Sequence, residues 1–148
     1  MSDPFGELER HFLAWVDAIG QGIEQGLAAG AAIVQDAAQA ADSYGDRSGA
    51  TRAGTVAYPL TPTQDGADAF SAALAAVERE NPGHGASEDA GLTPTEERRY
   101  VVATVPTVYQ SLLELSNGGE HAVLQPIMDA YAPQIHEAVE RAIEDATR

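Results

Sequence analysis

The chain has 148 residues, enough for one domain with an ordinary core. Its 23 acidic residues face eight basic ones, all arginine, for a formal net charge of −15, a balance that repels phosphate backbones and argues against tight nucleic-acid binding. It has no cysteine, which excludes disulfides and thiolate metal sites. Hydrophobic residues make up 44% and aromatics 6%, so the expected core is aliphatic. Such acidity also suits a protein working in molar salt, where charge repulsion is screened within a few ångströms, or an acidic protein from a GC-rich bacterium. Met1-Ser2-Asp3-Pro4 has neither the charged start nor the apolar stretch of a signal peptide.

Asp3-Pro4 reads as an N-cap followed by proline in the first turn of a helix. Leu8, Phe12, Trp15, Val16, Ile19, Ile23, Leu27, Val34 and Ala41 then recur at three- and four-residue steps, an amphipathic helix ending near Tyr44-Gly45. A break is expected at Gly20-Gln21-Gly22. Glu24, Gln25, Gln35 and Asp36 interrupt the Ala-rich second half, so it is not a membrane span.

Gly22, Gly26 and Gly30 recur every four residues on this helix. Each costs about 1 kcal/mol relative to alanine, so three in register call for a compensating gain. A stripe without side chains lets another backbone approach closely. It reads either as packing against a sheet of the same chain or as contact with a neighbouring copy.

Residues 55–60 form the next expected element, a strand stopped by Pro59 and Pro62. Residues 67–80 carry Phe70, Leu74 and Val77 at helical spacing and close at Asn81-Pro82-Gly83. The Gly- and Pro-bearing stretch 81–95 reads as a mobile loop. Residues 99–105 are the strongest strand signal, 107–115 are ambiguous between strand and helical turn, and Asn117-Gly118-Gly119 is a turn. Val123, Leu124, Ile127, Met128, Tyr131, Ile135, Val139 and Ile143 mark a second long helix, with Pro126 in its first turn. Pro133 predicts a kink or restart between Asp129 and Pro133. The expected class is α+β: two long helices on a small, mainly antiparallel sheet, with an extra short helix and mobile loop in the middle.

No enzyme is expected. His136 and Glu140 sit one helical turn apart, but two ligands on an exposed face are fewer than a metal site needs. No serine lies in a G-x-S-x-G setting, and Gly83-His84-Gly85 lacks the lysine of a phosphate loop. No cofactor is implied. Two of the scarce cations, Arg47 and Arg52, flank Ser48-Gly49. There Asp46 and Ser48 are placed to cap a turn, and Gly49 to supply a positive φ. Arg52 is a candidate for pairing with an acid of its own or an adjacent chain, and Arg98-Arg99 for a similar contact or a plain strand-end charge.

Three pieces in order carry a resemblance. They are Asp46-Arg47-Ser48-Gly49-Ala50-Thr51-Arg52 leading into a strand, the stretch from Tyr109 through Glu114 to Gly118, and Leu124-Gln125-Pro126 opening a helix. This order resembles the tail-completion or neck proteins, the head–tail joining family of long-tailed phages and archaeal tailed viruses. The resemblance covers both ends of the chain; residues 61–98 are longer than the family's usual middle and read as an insertion within a single 1–148 domain. It implies a virion structural protein at the head–tail junction, assembled in the host cytoplasm. The expected assembly is a homo-oligomeric ring, most often of six copies, between the portal-side connector and the tail tube. Sheets would join around a channel through which DNA passes without specific binding, and no membrane is involved. Gly22, Gly26, Gly30, Arg47, Arg52, Arg98 and Arg99 are the expected protomer contacts, with Asp46, Ser48, Gly49, Gly118 and Pro126 structural. The alternative is a small acidic interaction module of halophilic cellular origin.

The halophilic reading has a direct consequence. Going from molar salt to about 0.01 M lengthens the screening distance to roughly 30 Å, so the carboxylates repel across the whole domain. The thermal midpoint is expected to fall in low salt. An unchanged midpoint in paired melts would remove the halophilic reading.

Overall fold

The computed structural model describes residues 3–40, 53–86, 92–95, 97–106 and 124–148. The chain order is α1 (Pro4–Ala40), β1 (Val56–Leu60), α2 (Ala67–Glu80), β2 (Tyr100–Thr104) and α3 (Leu124–Thr147). The class is α+β, with two long helices and a shorter one on a two-stranded antiparallel sheet.

Helix α1 starts as its sequence dictates. The Asp3 side chain accepts the Gly6 N–H at 3.1 Å and its carbonyl accepts the Glu7 N–H at 2.9 Å, so two N-terminal donors are satisfied. The helix then runs unbroken through Gly20 and Gly22, contrary to the expected break. Tertiary packing overrides propensity here, because Gly22, Gly26 and Gly30 are buried against α3 of the same chain. A Cβ at Gly22 would lie 2.7 Å from the Ile143 Cα, one at Gly26 would collide with the Val139 backbone, and one at Gly30 would lie 2.9 Å from Ile135 Cγ2. Within the chain, the stripe's close neighbour is therefore the antiparallel C-terminal helix, where the sequence suggested a sheet.

Helix α3 is likewise continuous across Pro133, with no restart. Proline removes one backbone donor and crowds the preceding turn. The helix is pinned on both sides of it, by Leu124, Ile127 and Met128 before and by Ile135 after, all packed into the core. Pro126 lies in the first turn, as expected.

The sheet pairs Val56 with Thr104 through Leu60 with Tyr100. Pro59 sits inside β1 opposite Val101, a position tolerated in an edge strand. The outer edge of β1 is covered by α1: Gln35 Oε1 accepts the Ala57 N–H at 3.2 Å, and Gln39 Nε2 donates to the Thr55 carbonyl at 3.3 Å. Two half-buried glutamines thus complete what a third strand would otherwise complete.

The short helix matches its expected bounds. Gly66 precedes it at φ 70°, a left-handed conformation that side chains disfavour, and Asp65 Oδ1 accepts the Ala67 N–H at 2.9 Å. Ala73 and Val77 are its buried face. The loop that follows is partly tied down: the Ala86 N–H donates to the Pro106 carbonyl at 2.9 Å.

The buried hydrophobic residues are small and aliphatic: Leu27, Ala31, Val34 and Ala38 from α1, Val56, Ala57, Val102 and Val105 around the sheet, and Leu124 and Ile135 from α3. Val34 and Val77 are the largest fully buried side chains. Each contributes about 1.5–3 kcal/mol relative to exposure. No aromatic residue is among the described buried ones.

Two glycines of α1 provide a matched test. Gly20 has nothing within 4 Å of where a Cβ would go, whereas Gly26 meets backbone. Gly20→Ala is expected to stabilise by about 0.5–1 kcal/mol through helix propensity. Gly26→Ala is expected to destabilise by about 1–3 kcal/mol because α1 and α3 must separate. Chemical denaturation of both variants measures the contrast, and equal effects would refute the close packing.

Candidate interaction surface

The α1–α3 pairing steps evenly, Gly22 with Ile143, Gly26 with Val139 and Gly30 with Ile135. Continued by one more step of four, the register would bring Thr147, the last residue of α3, level with Ala18. The part of α1 from Pro4 to Asp17 therefore extends beyond α3, over roughly 20 Å at 1.5 Å per residue. This overhang is apolar and exposed. Phe5 is 82% accessible and Trp15 52%, and Leu8, Phe12, Leu13 and Val16 are exposed as well. Phe5, Leu8, Phe12, Trp15 and Ile19 follow alternating steps of three and four, the spacing of an apolar helix seam. That seam runs straight into Gly22 and Gly26, so α3 covers only its C-terminal half. Phe12 and Trp15 touch, with ring centroids 6.3 Å apart.

A second apolar surface lies lower on the molecule. Leu27 of α1, Tyr100 and Val101 of β2, and Met128, Ala132, Ile135 and Val139 of α3 line an open groove of about 560 Å³. The small side chain of Ala132 leaves room between helix and strand. Arg99, His136 and Glu140 form its polar rim.

Beside this groove a polar node ties sheet to helix. Thr61, 2% exposed, donates from Oγ1 to Glu24 Oε2 at 2.8 Å, while the same oxygen accepts the N–H groups of Thr63 and Gln64 at 3.3 and 3.1 Å. The other Glu24 oxygen faces Arg99 Nε at 3.9 Å, with the two side chains only 20% and 16% exposed. Glu24 thus holds the turn after β1 and the entry to β2 on one face of α1.

These positions revise several expectations. Gly22, Gly26 and Gly30 are occupied within the chain and present no surface to a neighbour. Arg99 faces Glu24 of its own chain. Arg98 is exposed in a turn in which its N–H donates to Thr95 Oγ1 at 3.0 Å. Arg47, Arg52, Asp46, Ser48, Gly49 and Gly118 lie outside the described residues. His136 and Glu140 sit at the groove rim, and among the described residues no three His, Asp or Glu side chains gather as a metal site would require. The sequence reading took Leu8, Phe12 and Trp15 as part of a buried face. The available signal was length: the α1 seam is longer than the α3 face that covers it.

Compared with known proteins, the chain matches no family model, no curated protein and no solved structure. No described helix is long and apolar enough to cross a membrane.

Among the described residues, the Glu78 carboxylate is held below its ordinary pKa. Glu78 accepts the Gly83 N–H at 2.9 Å and the Gly85 N–H at 2.7 Å, closing the turn after α2. The Gly83 bond, then the Gly85 bond, hold its pKa below the ordinary glutamate value of 4.5, with His84 adding slightly and desolvation opposing. The lowered pKa means the turn gains stability while Glu78 is ionised, above its unfolded value, and loses it as pH falls through the folded value. The Gly83 and Gly85 amide resonances are expected to titrate with a midpoint below 4.5, and Glu78→Gln to abolish that titration. A midpoint at or above the ordinary value would show that the carboxylate does not hold the turn.

Proposed function

We propose that this chain is a virion structural protein forming a ring at the head–tail junction, between a portal-side connector and the tail tube. The placement of its aromatic residues supports an assembly role best. The single tryptophan and two of the three phenylalanines stand exposed on the α1 overhang, while the described core holds none. Exposed aromatic clusters of this kind mark protein contacts, because aromatic anchors dominate interface energetics. On a chain of net charge −15, association must come from such local apolar contact, since the overall field opposes it.

The narrower reading rests on the ordered motifs at residues 46–52, 109–118 and 124–126, together with an α+β fold of two long helices on a small antiparallel sheet. An acidic wall also suits a DNA conduit, which has to let a polyanion slide past without adhering.

Mass measurement in molar salt with negative-stain microscopy of the same sample tests this reading. The expected particle is a closed ring with a central hole and a mass near six times the chain's 15.5 kDa. A particle that stops at a dimer would favour the acidic interaction module instead. A chain that stays monomeric at every concentration would remove the ring.

A further inference from the structure

We draw no further inference here: the strongest candidate, the polar hollow between α1 and the turn after β1 lined by Asp17, Gln21, Glu24, Gln64 and Arg99, carries none because Glu24 and Arg99 there already face each other and nothing in the structure shows what fills or covers it.

Discussion

The contact on which the rest depends is the approach of α3 to the glycine stripe of α1. Without Cβ atoms at Gly22, Gly26 and Gly30, the two helix axes come close enough for the Ile143 and Val139 backbones to sit where side chains would stand. That closeness fixes the antiparallel register in steps of four. The register in turn decides which part of α1 is covered and which extends free. The same contact keeps α1 continuous through a Gly-rich segment that would fray in isolation, and it holds α3 on both sides of Pro133.

Around that pair the polar groups are arranged to join, and they do not compete with the small core. Gln35 and Gln39 complete the outer edge of β1, and Glu24 gathers Thr61 and Arg99 onto the same helix. A two-stranded sheet is marginal alone, and here it is stable because helix side chains supply the missing partners. The outward groups of Ala57 and Thr55 are thereby engaged within the chain, so this edge of β1 offers no open ladder at those positions.

Local chemistry made much of the fold legible in the sequence. Asp3-Pro4 marked the start of α1, the breakers at residues 81–83 marked the end of α2, and Pro126 fitted the first turn of α3. What failed was non-local. Three glycines in register announce that something comes close, but the sequence does not say whether it is a sheet, a helix or another molecule. The expected break at Gly20–Gly22 failed for the same reason, since propensity speaks for an isolated helix and packing decides in the folded one. Arg99 read as a strand-end charge because its partner, Glu24, is far away in the chain. The groove was not legible either, because it arises where Ala132 of α3 faces β2.

The position of Trp15 separates two kinds of spectroscopic signal. The only indole in the chain stands half in water, roughly 18 Å along α1 from the core residue Leu27. Its emission therefore reports the polarity around the overhang and is nearly blind to whether Val34 and Val77 are packed. A heating curve followed by intrinsic fluorescence traces the surroundings of the exposed N-terminal half of α1, while far-ultraviolet dichroism traces loss of the helices. The temperature gap between the two curves measures how far that half melts apart from the core that α3 covers.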